Sequence, residues 1–415
     1  MKCSYFRRSN HGISGQAICN MENNLFIPDF NDISIAFRDK SNQELKRTYW
    51  LFKGMNMPFL VNAGAKLGML ALNWSVPFVG RIIKNTIFKQ FCGGTSLSES
   101  LPVIQRLGKQ QIFSVLDYGA EGKNEESEFD FTLQEAKRAI EFAAGAGRNP
   151  FVSTKLTGLV DQQVLGDVAS GKGLDNMSTM AYNRFKNRVD SLCALAFEKN
   201  VSIFIDAEES WIQQPIDDLA NDMMEKYNVN KAVIYNTFQM YRKDRLSFLK
   251  HSFYRAKERK YWLGAKLVRG AYMEKENQRA LDLNYESPIH ISKEFTDQSF
   301  NEGIEFCLDH YEEMYAVNAS HNVYSVSLQV KKMVEKAIPF NHSGIYFCQL
   351  MGMSDILTFN LANAGFNVGK YVVYGQIKEV IPYLIRRAEE NSSVTGDMSR
   401  ELSLVKAEME RRKLL

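Results

Sequence analysis

The run AYNRFKNRVDSLCALAFEKNVSIFIDAE, Ala181–Glu208, decides how this chain folds. Its first part, Ala181–Lys199, carries apolar residues at helical spacing and reads as an amphipathic helix. Its second part, Val201–Glu208, is a short β-branched and apolar run that reads as a buried strand. A helix that feeds directly into a strand is one unit of an alternating fold, and the alternation continues on both sides. Further candidate strands lie at Gln111–Tyr118, Phe151–Leu159, Lys231–Tyr241, Tyr261–Gly270, Glu313–His321, Gly344–Leu350 and Val368–Gly375. Helical patterns such as Phe131–Ala144 and Asp297–Tyr311 lie between them. Eight strands alternating with helices imply a parallel sheet, and that number suggests closure into a (β/α)8 TIM-type barrel. An open doubly wound sheet would instead advertise a G-x-G-x-x-G loop near its start, and none follows a strand. The expected organisation is an unstructured leader over 1–20, a mainly helical N-terminal arm over 21–105 and the barrel over 106–415.

Composition narrows the function. The chain has 415 residues, with 51 Lys and Arg against 48 Asp and Glu, so its formal charge of +3 is too small to point to nucleic acid. The six cysteines form no C-x-x-C pair and the six histidines no H-E-x-x-H, which argues for reduced thiols and against a metal site. The first twenty residues hold Lys2, Arg7, Arg8, several serines and no acid, the texture of an organellar transit peptide. They read first as a leader, with Met21 a candidate alternative start. Met57–Gly80 is too interrupted by Asn62, Lys66 and Asn73 to cross a membrane, but Arg81, Lys84 and Lys89 follow it. It reads equally as a surface contact with a membrane or as an arm packed on the barrel. The run GDVASGK, Gly166–Lys172, has phosphate-loop spacing, yet Gly173 stands where magnesium coordination wants Ser or Thr, so chance explains it better.

The chemistry gathers where strands should be apolar. Lys155, Asp206, Gln239, Lys266, Arg269, His321, Gln349 and Tyr371 all lie in or at the end of candidate strands. A buried charge is expensive unless it is paired, and the carboxyl ends of barrel strands converge on one face. Mutual neutralisation, Lys155 against Asp206 and Lys266 against Glu208, is the plain alternative for any one pair. Eight polar groups on seven strands exceed what neutralisation needs. A second constellation is helical: in IPYLIRRAEEN, Tyr383, Arg386, Arg387 and Glu390 share one face. Two adjacent arginines with a tyrosine form a fork for a carboxylate.

At these residues the sequence resembles the proline dehydrogenase family. Lys266-Leu267-Val268-Arg269-Gly270-Ala271-Tyr272 looks like its signature strand, and Tyr383 through Asn391 like its carboxylate-binding helix. Phe204–Glu209, Tyr235–Gln239 and the Ser320-His321-Asn322 turn match further blocks in order, so the likeness runs from about residue 110 to the end. The resemblance implies a distorted barrel that holds FAD non-covalently. By that resemblance Lys266 matches the basic residue beside the flavin N5, and Val268, Arg269, Gly270, Ala271 and Tyr272 lie along the cofactor. Gln239, His321 and Gln349 are further cofactor contacts, with a one-residue offset giving Cys348 the last of these roles, and Glu390 is an acid near the cofactor. Arg386, Arg387 and Lys155 match residues on the substrate carboxylate. Asp206 lies behind the substrate pocket, Tyr371 packs over the proline ring, and Leu267 and Tyr383 line the same pocket.

The implied reaction oxidises L-proline to Δ1-pyrroline-5-carboxylate, moves a hydride from C5 to flavin N5, and passes electrons to a membrane quinone. A separate pyrroline-5-carboxylate dehydrogenase is expected to take the product. A cytoplasmic setting with peripheral contact to the inner membrane is expected, or the mitochondrial matrix in a eukaryote. Hydroxyproline dehydrogenase is the neighbouring alternative. Relatives that prefer hydroxyproline carry a smaller residue at the ring-facing position, so Tyr371 favours proline. A Schiff-base aldolase using Lys155 or Lys266 is the alternative from another class.

Overall fold

The computed structural model describes residues 28–56, 78–119, 123–145, 151–392 and 397–415, with two short strands ahead of them, Cys19–Asn20 and Leu25–Phe26. Residues 1–18 of the expected leader over 1–20, Met21 and residues 57–77 of the apolar stretch lie outside the described residues.

The stretch that opened the sequence argument folds as read. Asp175 caps helix Asn176–Lys199 by accepting from the Ser178 N–H at 2.7 Å. Phe185, Val189, Leu192, Cys193 and Ala196 are buried along one face. Asn200 ends the helix in the left-handed region at φ +55°, which Asn tolerates better than most residues, and strand Ser202–Ile205 follows.

Eight parallel strands repeat this step: β1 (Ile112–Tyr118), β2 (Phe151–Thr154), β3 (Ser202–Ile205), β4 (Ile234–Gln239), β5 (Leu263–Val268), β6 (Met314–Ala319), β7 (Ile345–Leu350) and β8 (Val368–Tyr374). Each pairs with the next, and β8 closes onto β1, from Val368 opposite Ile112 to Tyr374 opposite Tyr118. Every expected strand contains an observed one. The observed strands are shorter, so that Lys155, Asp206 and His321 fall just beyond their carboxyl ends. The helices around and beside the strands include α1 (Asn42–Met55), α2 (Leu97–Lys109), α3 (Glu126–Gly145), α4 (Asn176–Lys199), α5 (Ser210–Tyr227), α6 (Arg245–Arg259), α7 (Lys293–Asp309), α8 (Val323–Glu335), α9 (Asp355–Asn363), α10 (Ile377–Ser392) and α11 (Asp397–Arg411).

One apolar layer fills the space between strands and helices. The lumen has its own filling, and it is aromatic where aliphatic residues are usual. Phe113, Phe151, Phe204, Tyr235 and Tyr346 pack ring against ring, with centroids of successive pairs 4.8–5.5 Å apart. Gly369 is required here, because a Cβ would stand 2.2 Å from the Phe113 ring. The barrel is thus solid below and polar above.

The distortion has a visible cause. β8 pairs with β7 through Val368–Tyr371, and beyond that Val373 and Tyr374 pair with a short strand from the arm, Cys92–Gly94. The arm therefore completes the sheet where β7 and β8 part. The expected division at residue 105 falls inside α2, which packs on β1 and on the short strand. Among the described residues no helix is long and apolar enough to cross a membrane. The GDVASGK run is no phosphate loop: Gly166–Ala169 end a helix, and Lys172 turns back to Asp167 at 3.5 Å.

Candidate active site

Above the aromatic floor the lumen holds one carboxylate between two lysines. The Lys266 ammonium pairs with Asp206 and donates to the Tyr371 hydroxyl at 2.7 Å. Ser153 donates to Asp206 at 2.7 Å and sits 3.4 Å from the Tyr371 oxygen. Lys155 stands 4.0 Å from Asp206 and 3.9 Å from Asp117. Burial alone pushes the Asp206 carboxyl up, but Lys266 and Lys155 outweigh it and hold it below the usual range. The Tyr371 phenol is pushed well up, first by burial and then by Asp206, so it stays a neutral hydroxyl. Tyr371 stacks on Phe204, and Lys266 lies over both rings at 5.1 and 5.2 Å. These groups come from β2, β3, β5 and β8, which is the convergence expected of a barrel rim.

Pleat alternation then sorts the remaining candidates. On β5, Lys266 faces the lumen, so Leu267 faces the helices. It lies so near α7 that a Cβ on Gly303 would be 2.8 Å from its methyl. The expectation that Leu267 lines the pocket is therefore corrected. Gln349 is corrected for the same reason. Cys348 belongs to the lumen cluster, while Gln349 points outward, donating to the Ser320 carbonyl at 3.1 Å and accepting from Thr358 of α9 at 2.8 Å. The expected partner of Lys266, Glu208, instead accepts from the Thr157 N–H at 3.0 Å and from its hydroxyl. Burial raises Glu208 to about 7, with its Thr157 bonds opposing.

The loop after β5 is pinned at several points. Gln239, in register with Val268, donates to the Glu208 carbonyl at 2.7 Å and accepts from the Ala271 N–H at 3.4 Å. Arg269 reaches Asp297 and Ser320, both at 2.6 Å, and Ser325 at 3.0 Å, over the Phe300 ring. Gly270 has φ +137°, and a Cβ there would meet the Tyr241 ring at 2.5 Å, so both conformation and space demand glycine. Tyr272 is buried just before helix Met273–Asp282. His321 shares a 2.9 Å hydrogen bond with Ser354 through Nδ1. Burial, then Lys370, Arg387 and Arg269, push its imidazole down to about 3, so it is neutral at physiological pH.

Helix α10 crosses the mouth. Tyr118 at the end of β1 donates to Glu379 in its first turn at 2.9 Å. Tyr383 is buried and directs its hydroxyl to the Phe91 carbonyl at 3.4 Å. Arg387 is buried, lies 5.1 Å over the Tyr383 ring and pairs with Glu390, and its charge is felt at His321 on the far side of the mouth. Arg386 is partly buried, and burial raises the Glu390 carboxyl above its ordinary range, with Arg387 and Arg386 opposing the rise.

Three participants escaped the sequence reading. Asp117 sits in β1 and obeys the criterion of an acid on a strand, so it was findable. Ser153 is too small and neutral to announce itself. Lys370, next to Tyr371 but on the opposite face of β8, pairs with Asp355 at 2.9 Å outside the lumen. The residues at the rim fit a flavin dinucleotide by their donor set: the Lys266 ammonium, the Gln239 amide and the Arg269 guanidinium, with further positive charge around a neutral imidazole. Such a set suits a ring with hydrogen-bonding edges joined to a phosphate group.

The proline dehydrogenase family model matches residues 100–400. Proline dehydrogenase 1, mitochondrial, of Dictyostelium discoideum is 32% identical over 92% of this chain and 74% of its own length. The hydroxyproline dehydrogenase of Xenopus laevis is 28% identical over 91% of this chain and 89% of its own. Among solved structures, proline utilization A from Bdellovibrio bacteriovorus, inactivated by N-propargylglycine, superposes with a TM-score of 0.68 at 20% identity, over 88% of this chain and 37% of that one. That last likeness is one of fold.

Proposed function

We infer the chemistry of the cavity from a plain premise: the chain belongs to the proline dehydrogenase family, and it is an oxidoreductase acting on proline. We propose that it oxidises L-proline to Δ1-pyrroline-5-carboxylate with FAD at the barrel mouth. The observation that carries this reading is the shared carboxylate: Asp206 gathers Lys266, Lys155 and Ser153 around Tyr371 at the carboxyl rim. A bound flavin would supply the two-electron acceptor for the hydride leaving proline C5.

The chain's own residues do the rest. Arg386 and Arg387 of α10 are the proposed grip on the substrate carboxylate, with Lys155 after β2 as a third positive charge. Tyr371 closes one side of the lumen, its hydroxyl fixed by Lys266 and Ser153. The aromatic floor stops the ring from sinking and keeps water out below. Lys266 favours negative charge that develops beside it, in a site where water is scarce. Arg269, Gly270, Ala271, Tyr272, Gln239 and His321 line the cofactor side, where Gly270 admits close approach of the backbone. Holding the reacting atoms near contact accounts for much of the rate.

The electron acceptor is proposed to be a quinone met at a membrane surface. The names of the mitochondrial relatives favour the matrix over a bacterial cytoplasm. A second reading, hydroxyproline oxidation, is favoured by the frog relative and opposed by Tyr371, whose bulk and fixed hydroxyl occupy the ring-facing side. The ratio of kcat/KM for the two imino acids separates them. The decisive experiment is a visible spectrum: the purified protein should be yellow and should bleach with proline under anaerobic conditions. A colourless protein trapped by borohydride with a carbonyl substrate would sink the flavin reading in favour of the aldolase.

A further inference from the structure

We infer that the C-terminal helix α11 is a positioning element for the cofactor site: Glu401 fixes the turn at Ser354, and Ser354 fixes His321. The inference rests on the flavin reading above, in which His321 faces the cofactor.

The turn between β7 and α9 needs outside support. Ser354 adopts φ +50° without being glycine, a conformation that persists where surroundings impose it. Its N–H donates to Glu401 of α11 at 2.8 Å, and its side-chain oxygen meets His321 Nδ1 at 2.9 Å. Its carbonyl accepts from Thr358 at 3.3 Å, which also holds Gln349 and, through Gln349, the Ser320 carbonyl beside His321. The residue before His321 and the side chain of His321 are thus tied to one turn.

The turn reaches α11 by a second route. Asp355 pairs with Lys370 of β8 at 2.9 Å and with Lys40 of the arm at 2.8 Å. Arg412, next to the end of α11, donates to the carbonyls of Lys40 and Phe37, both at 2.7 Å, and pairs with the fully buried Glu408. Gln90 adds a 2.9 Å bond to the Gly352 carbonyl. Arm, β8 and α11 therefore converge on residues 352–355, and His321 is what that turn presents to the mouth. Packing of α11 on the arm would need none of the contacts at Ser354.

The test compares Glu401→Ala, Glu401→Gln and Ser354→Ala with the wild-type holoenzyme. Each is assayed for its FAD dissociation constant on dilution, its proline KM and its thermal midpoint. Glu401→Ala and Ser354→Ala should weaken FAD about tenfold with the proline KM within twofold of wild type. Glu401→Gln should retain FAD, because its amide oxygen still accepts from the Ser354 N–H. If both alanine variants hold FAD as tightly as wild type while the midpoint falls, α11 is structural packing and the inference is wrong. If Glu401→Ala does not fold, Ser354→Ala decides, since it deletes the bond to His321 and leaves Glu401 in place. A wild type without flavin would overturn the flavin reading itself, whereas a yellow wild type with indifferent variants overturns this inference alone.

Discussion

Two buried ionic clusters share strand β8 back to back, and each sets a carboxylate between two lysines. Inside the lumen Asp206 lies between Lys266 and Lys155, beneath Tyr371. Outside it Asp355 lies between Lys370 and Lys40, with Lys370 one residue before Tyr371. The outer cluster is tightly closed: Lys370 also donates to the Leu350 and Met353 carbonyls, and its pairs with Asp355 are at hydrogen-bond distance. The inner one takes in a second acid, for Lys155 stands 3.9 Å from Asp117 and 4.0 Å from Asp206. A carboxylate bracketed by two lysines thus serves two ends. The outer cluster locks segments together, while the inner one stands at the carboxyl rim of the barrel, where the proposed substrate would bind.

The largest expected effects test this contrast directly. Lys266→Met should leave Asp206 without its nearest cation and lower kcat/KM about a thousandfold, the scale of losing a group that stabilises developing charge. Lys370→Met, its counterpart across the strand, should instead lower the unfolding free energy by about 3–5 kcal/mol, because a buried acid loses one partner. Its turnover with FAD saturating should stay near wild type. Steady-state assays with an artificial acceptor, run beside denaturant midpoints, read both. If Lys370→Met abolished turnover in a folded protein, the division of labour between the faces would be wrong.

Arg387→Ala sharpens the inner half of the comparison. Deleting a charged anchor for the substrate carboxylate should raise the proline KM about a hundredfold, or roughly 3 kcal/mol. Flavin content should be retained. A variant that lost flavin yet kept its KM would move Arg387 from the substrate to the cofactor.

What the sequence disclosed follows from where charge sits relative to periodicity. All eight strands were legible because Val201–Glu208 and its equivalents are apolar runs bounded by helices. Lys155, Asp206, Lys266 and Tyr371 were legible because polar groups interrupt those runs. Facing was harder. Leu267 and Gln349 share the motifs of the site but point the other way, since successive residues of a strand face opposite sides. The arm's strand Cys92–Gly94 and the pairing of Lys40 with Asp355 link residues hundreds of positions apart, and no local pattern records such contacts. Asp355 and Glu401 sit on helices, where an acid is ordinary, so nothing in the sequence marked them as buried.

A smaller effect should separate shape from charge at the shared strand. Tyr371→Phe removes the hydroxyl held by Lys266 at 2.7 Å while keeping the ring stacked on Phe204. One lost hydrogen bond to a charged group, about 1.5–2 kcal/mol, predicts a kcat/KM lower by about ten- to thirtyfold. Unchanged kinetics would mean that the ring alone matters.

The smallest expected effect compares the extra acid beside each cluster, Glu208 inside and Glu401 outside. Burial raises both to about 7, and for Glu401 the nearby Asp355 adds to the rise. A carboxyl with a raised folded pKa binds its proton more tightly in the folded state. Its contribution to stability is therefore full below the ordinary carboxyl pKa and declines as pH rises toward 7. Glu401→Gln removes that decline. It should match wild type near pH 5 and exceed it by about 1–2 kcal/mol at pH 8, below the roughly 3 kcal/mol of the shift itself, because the amide accepts from Ser354 less strongly than a carboxylate. Unfolding midpoints at the two pH values measure the difference. Glu208→Gln should show the same stability signature, but in addition it should alter the pH profile of kcat/KM, because the Glu208 carboxyl feels the charge of Lys155. Equal profiles for the two variants would mean that the outer cluster is no more insulated from the reaction than the inner one.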